Sequence, residues 1–274
     1  MNEKEKQFST LQLLKAIGYF LLLFSVPMIV PMLPSPKFGN LSLGNLLSPV
    51  ILLLLTAWFY RKEGKNLSEL GLNIQLTNLL FLPLGLILGI LFFSLLLFLQ
   101  SFQNDLHIQI NQNANWGLIF SGAFFLIIGV LNEELIFRGY FFQKTIDYKG
   151  FMQANLIFAA IFIVYHWIAL NAWGNYGLML GLFTTGFGHI LFAVALLKSK
   201  TLYFPIGIHW GNNWAQRHLF SANIGGINEN PSNDTFFILT SFNIDTSLVH
   251  ILGSYAITIT CFLLSISVIW KFKR

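Results

Sequence analysis

The stretch Trp116–Gln143, WGLIFSGAFFLIIGVLNEELIFRGYFFQ, decides how this chain is read. Its first part, Trp116–Val130, is almost wholly apolar and reads as a helix immersed in lipid. Its last part carries Glu133, Glu134 and Arg138. A charge at the centre of a membrane helix costs about 3 kcal/mol or more, so three in one turn and a half need a reason.

Outward from that stretch, the rest of the chain has the same character. Of 274 residues, 55% are hydrophobic and only 10% are charged, whereas soluble domains carry about 25% charged residues. Mean hydropathy is +0.66. The expected fold class is therefore all-α: a polytopic membrane protein of about eight transmembrane helices, forming a single integral-membrane domain over residues 1–274. The candidate spans are Leu11–Leu33, Leu43–Tyr60, Leu79–Phe102, Trp116–Tyr140, Asn155–Leu170, Gly177–Leu197, Leu202–His218 and Val249–Trp270. The N-terminus lacks a small-residue cleavage site before its apolar run and reads as a retained first helix. The connection Leu219–Leu248, rich in Asn, Asp and Ser, is expected on the outer face, with no fold assigned.

Charge placement supports this reading. With eight spans, Lys4, Lys6, Arg61, Lys62, Lys65, Lys144, Lys149, Lys198, Lys200, Lys271, Lys273 and Arg274 all fall on one face, which makes both termini cytoplasmic. The opposite face keeps Lys37 and Arg217. The net charge of +5 thus orients helices, and no basic patch with interleaved aromatics suggests nucleic acid. The single cysteine, Cys261, excludes an intrachain disulfide and a four-cysteine metal site; it reads as a packing residue. Gly85–Gly89 and Gly177–Gly181 are small-xxx-small spacings that suit close helix packing.

Three spans carry costly polar groups. On a helix, residues four apart share a face, so Glu134 and Arg138 can pair. Glu133 is turned about 100° away and is the spare acid. A carboxylate without a cation of its own remains available as a general base. The plainer alternative is that both glutamates share Arg138 as a structural cluster. Span five supplies FIVYH, Phe162–His166. Span seven supplies PIGIHWGNNW, Pro205–Trp214, in which His209 and Asn213 share a face. Polar residues of this kind also serve as interhelical glue. With span five entering the membrane near Asn155, Glu133, His166, His209 and Asn213 reach one level. His189 belongs to none of these patterns and reads as a packing or hydrogen-bonding residue. His107, His218 and His250 are expected to be solvated.

The ordered set Glu133-Glu134-Leu-Ile-Phe-Arg138, Phe162-Ile-Val-Tyr-His166 and His209-Trp-Gly-Asn-Asn213 resembles the CAAX protease and bacteriocin-processing family of intramembrane proteases. The resemblance covers roughly Trp116–Trp214. It implies an endopeptidase that cleaves a peptide or membrane-anchored substrate at a site facing the cytoplasm. In that reading Glu133 activates water, His166 helps to hold it, and His209 and Asn213 face the oxyanion. Glu134, Arg138 and Phe162 support the site. In a bacterial plasma membrane the substrate would be a small peptide or bacteriocin rather than a prenylated protein. Two mechanisms are compatible with these residues. One is a metal-free Glu133 base, the reading preferred here. The other is a divalent metal such as zinc, held by Glu133, His166 and His209. The His-Glu-x-x-His zinc signature is absent. The rival functions are a non-catalytic scaffold or bacteriocin-immunity protein of the same fold, and a proton-coupled transporter.

Overall fold

A computed structural model of the chain describes residues 10–38, 41–104, 106–223, 226–227, 233–241 and 247–272, and these are helical almost throughout. In chain order the helices are α1 (Thr10–Ile29), α2 (Leu43–Arg61), α3 (Leu76–Leu79), α4 (Phe81–Asn104) and α5 (Trp116–Phe137). They continue with α6 (Tyr140–Lys149), α7 (Phe151–Ala169), α8 (Tyr176–Phe183), α9 (Thr185–Ser199), α10 (Tyr203–Trp214) and α11 (Leu248–Trp270).

Six helical stretches among the described residues are long and apolar enough to cross a bilayer: 43–61, 76–103, 116–149, 151–169, 176–199 and 249–270. The chain is an all-α, multi-pass membrane protein. All eight expected spans are helical, and the first and seventh are not among these six stretches. The first offers the shorter apolar stretch Ile17–Met32, and α10 has 12 residues, about 18 Å. The fifth helix starts at Phe151, four residues before the expected entry at Asn155. Lys4, Lys6, Lys273 and Arg274 lie outside the described residues.

Local chemistry explains the breaks. Pro83 has no N–H for the Leu79 carbonyl, and the helix interrupts at Leu80 between α3 and α4. Thr184 and Thr185 hydroxyls bond back to the Gly181 and Leu182 carbonyls, both at 2.7 Å, at the junction of α8 and α9. After α5, Arg138 leaves helical geometry (φ −124°, ψ −2°), and Gly139 follows at the cap of α6. A Cβ on Gly139 would run into the Leu135 carbonyl, so only glycine allows the chain to turn so tightly there.

The closest helix pair is α4 against α10. A Cβ on Gly85 would lie 2.6 Å from the Phe204 carbonyl oxygen. Cβ atoms on Gly89, Gly207 and Gly211 would likewise collide with the carbonyls of Ile208, Leu82 and Leu86. Gly85–Gly89 is thus one half of a glycine seam, and Gly207–Gly211 is the other. Gly177 and Gly181 make no such approach: their nearest contacts would be side-chain oxygens at 3.7 and 3.6 Å. At 100° per residue, Gly207 and Gly211 lie on the opposite side of α10 from His209 and Asn213. Seating the glycine face on α4 therefore turns the polar face toward α5 and α9. Two tryptophans clamp α10 onto α5: Trp210 Nε1 donates to the Ala123 carbonyl at 2.7 Å and Trp214 Nε1 to the Ile119 carbonyl at 3.0 Å.

The connections gather by charge. At one end, Lys144 pairs with Glu63, Leu202 N–H donates to the Leu70 carbonyl at 2.9 Å, and Lys198 sits 4.5 Å over the Trp270 ring. Burial pushes the Glu63 carboxyl up, but hydrogen bonds from Lys144 and Tyr140 outweigh it and hold it below the ordinary carboxylate value. At the other end, Leu106–Ile110 pairs antiparallel with Phe237–Ser241, in the register His107 opposite Thr240. The connection left unassigned from sequence is, in that part, one strand of a two-stranded ribbon.

This ribbon also corrects the reading of His218. That residue is buried, and its Nδ1–H donates to the Asp234 carbonyl at 2.9 Å, while Phe236 N–H donates to the His218 carbonyl at 2.8 Å. His218 lies in a π-helical turn, Ala215–Leu219, that directly continues α10. His107 is exposed as expected.

The seam predicts an asymmetry between the two glycine pairs. Gly207→Ala is expected to destabilise the detergent-solubilised protein by about 1–3 kcal/mol through overpacking against backbone that cannot yield. Gly177→Ala should leave the thermal unfolding midpoint nearly unchanged. Equal midpoints for the two variants would refute the seam.

Candidate active site

The motif residues of α5 and α10 meet in the interior. Glu134 and Arg138 are both fully buried, and Arg138 Nη1 lies 3.1 Å from Glu134 Oε1. This contact is ionic in character, because its angle falls outside hydrogen-bonding geometry. The same Glu134 oxygen receives His209 Nδ1 at 2.8 Å. A carboxylate beside a guanidinium only accepts, so Nδ1 carries the proton in this bond. His209 Nε2 then faces the other glutamate, with Glu133 Oε2 at 3.7 Å. The doublet divides as its helical spacing suggests. Glu134 is bound on both sides, and Glu133, with about 20% of its side chain exposed, looks onto the histidine.

Aromatic rings enclose this chain of polar groups. Phe192 on α9 stacks on His209, with centroids 4.6 Å apart and planes 18° apart. The Arg138 guanidinium carbon lies 4.7 Å from the Phe162 ring centre and 4.9 Å from that of Phe192. A guanidinium between two π faces is held by cation–π attraction without a second carboxylate. Phe162 thus has a definite place in the site. Phe192 was not singled out from sequence, and nothing could have marked it among 29 phenylalanines.

His166, on α7, is partly buried, and its Nδ1–H donates to the Phe162 carbonyl one turn back, at 2.8 Å. That bond leaves Nε2 with a free lone pair. Phe137 of α5 packs against Phe162 and Tyr165 of α7, with ring centroids 4.8 and 5.3 Å apart, which places α7 beside the end of α5 that carries the doublet. Asn213 sits one turn beyond His209 on α10, partly exposed, immediately before the π-helical turn. Asn132, just ahead of the doublet, accepts a 3.0 Å hydrogen bond from Ser48 of α2.

Among the described residues, no group of three or more His, Cys, Asp or Glu side chains gathers in an arrangement that could hold a metal ion.

No curated protein and no solved structure significantly matches this chain. A family model does match, and the matched segment runs from Asn115, the N-cap of α5, to Ala215, one residue past α10. It includes every motif residue described above and leaves out α1–α4 and α11. Over residues 115–215 the chain is similar to the family described as type II CAAX prenyl endopeptidase Rce1-like.

Proposed function

We propose that the protein is an intramembrane endopeptidase in which Glu133 is the general base for a hydrolytic water. One observation carries this reading beside the family match. His209 is fixed through Nδ1 by the buried Glu134–Arg138 pair and presents Nε2 to Glu133. A packing cluster needs the first contact but not the second.

In this mechanism water lies between Glu133 and the lone pair of His166 Nε2. Glu133 takes a proton as the water oxygen attacks the peptide carbonyl. The oxyanion that forms meets the Nε2 edge of His209 and the side-chain amide of Asn213. Glu133 then returns its proton to the leaving amine, the C–N bond breaks, and the carboxylate is restored. Phe192 and Phe162 keep bulk water from Arg138, so its charge stays committed to Glu134.

The lysine-bearing end of the bundle faces the cytoplasm in this reading, and the site opens to that side. The substrate is a peptide or a membrane-anchored protein segment, and the host membrane a bacterial plasma membrane. In this reading the site works without a metal; a divalent ion held by Glu133, His166 and His209 is the competing mechanism.

Cleavage of a reporter peptide by the purified protein tests the assignment. Glu133→Gln should lower kcat roughly 100-fold or more while the protein stays folded. Asn213→Ala should cost about 100-fold in kcat, the usual loss for an oxyanion donor. Wild-type turnover in Glu133→Gln would remove the base. An immunity phenotype that persists in the same variant would favour a non-catalytic scaffold instead.

The metal question has its own readout. Cleavage should survive prolonged incubation with a strong chelator and should not rise on addition of Zn²⁺. Loss on chelation with recovery by added zinc would replace the metal-free mechanism.

A further inference from the structure

His189 on α9 has no part in the mechanism above, yet it is fully buried and neither ring nitrogen has a hydrogen-bond partner among the described residues. It is packed by Phe142, Phe158 and Phe162, at centroid distances of 5.6, 6.2 and 5.9 Å. If packing were all that this position required, a phenylalanine or leucine would serve without burying two polar nitrogens. Arg138 has the same deficit. It is fully buried, its one ionic contact among the described residues is with Glu134, and Nε and Nη2 have no hydrogen-bond partner among them. Glu134 Oε2 is likewise unpartnered.

These groups are neighbours. Arg138 and His189 lie against the same Phe162 ring, the guanidinium carbon 4.7 Å and the imidazole centroid 5.9 Å from its centre. His189 and Phe192 are three residues apart on α9, so they share a face; Phe192 covers both Arg138 and His209. The hydrogen-bonding capacities are complementary. A guanidinium only donates, a carboxylate only accepts, and a neutral imidazole does both. Buried polar groups are met by ordered water where protein partners are lacking, and such a water needs two to four polar neighbours. Arg138, His189 and Glu134 supply them.

We infer that His189 is a positioning residue of the site: through buried water it holds the guanidinium of Arg138, and so fixes the chain Arg138–Glu134–His209 behind the reacting groups. Arg138 is otherwise restrained only by one ionic contact and two ring faces, neither of which is directional. A hydrogen bond to its far edge sets the plane of the guanidinium. That plane sets the Glu134 carboxylate, and the carboxylate sets the His209 ring. The kinetic consequence rests on the peptidase reading; the hydrogen-bonded chain does not.

The test uses full-length protein in detergent with ¹⁵N-labelled histidine. The His209 ring signals are identified by their loss in His209→Gln, and those of His189 by their loss in His189→Gln. His189→Phe keeps an aromatic ring in the cage and removes both nitrogens. The proposal expects the His209 Nδ1 signal to move in His189→Phe and kcat to fall roughly 10-fold with KM unchanged, as for one lost hydrogen bond to a charged group. His189→Gln, which restores a donor and an acceptor, should recover both. An unmoved His209 signal in folded His189→Phe overturns the proposal, whether or not the protein cleaves peptides. A moved signal in a protein whose wild type cleaves nothing supports the chain and overturns the peptidase reading. If His189→Phe does not fold, the wild-type His189 signals decide. Shifts of hydrogen-bonded ring nitrogens support the proposal, and shifts of unbonded ones overturn it.

Discussion

The structure is organised around one buried carboxylate. Glu134 has no exposed surface, and its Oε1 is shared by Arg138 of its own helix and His209 of another. Removing one partner of a buried ion pair typically costs about 3–5 kcal/mol, because the other charge is left unpaired. The fold must therefore bring both partners to the same oxygen. Arg138 reaches it from one turn farther along, at the C-cap of α5. His209 reaches it only because α10 approaches closely, and Phe192 closes the assembly from α9.

That approach is set by helix α4, which contributes no polar group to the site. The glycine seam removes side-chain bulk from the contact, so α4 and α10 meet at backbone distance. Since the two faces of α10 are opposed, docking one decides where the other points. The tryptophan hydrogen bonds to α5 then limit rotation of α10 about its axis. At the outer end, the π-helical turn beyond Asn213 is pinned by His218 and the Asp234–Phe236 backbone. A widened turn next to a functional residue is a common way to re-aim it. A short helix suffices in this place because most of α10 is wrapped by protein rather than lipid.

Much of the site was legible because its logic is local. Spacing of four pairs Glu134 with Arg138 and leaves Glu133 apart, and the same spacing puts His209 with Asn213 and Phe162 with His166. In the last case the bond is to the Phe162 carbonyl, the ordinary i−4 relation of a helix. What stayed hidden are the contacts between elements. Phe192 looks like any other phenylalanine of an apolar helix until His209 is stacked on it. His218 looks like a loop histidine until the ribbon of residues 106–110 and 237–241 encloses it. His189 looks like a packing residue, and only its bare nitrogens beside Arg138 mark it otherwise.

By itself, then, the sequence determined a multi-pass helical membrane protein, the helices that carry polar groups, and which of those groups share a face. These follow from hydropathy and from the fixed 100° turn per residue, both of which act within one segment. The tertiary structure alone decided that Gly85–Gly89 finds a partner while Gly177–Gly181 does not, and that His209 bridges both glutamates. Those outcomes depend on which surfaces fit one another across the bundle, and lateral fit between helices distant in the chain leaves no periodic trace in any one of them.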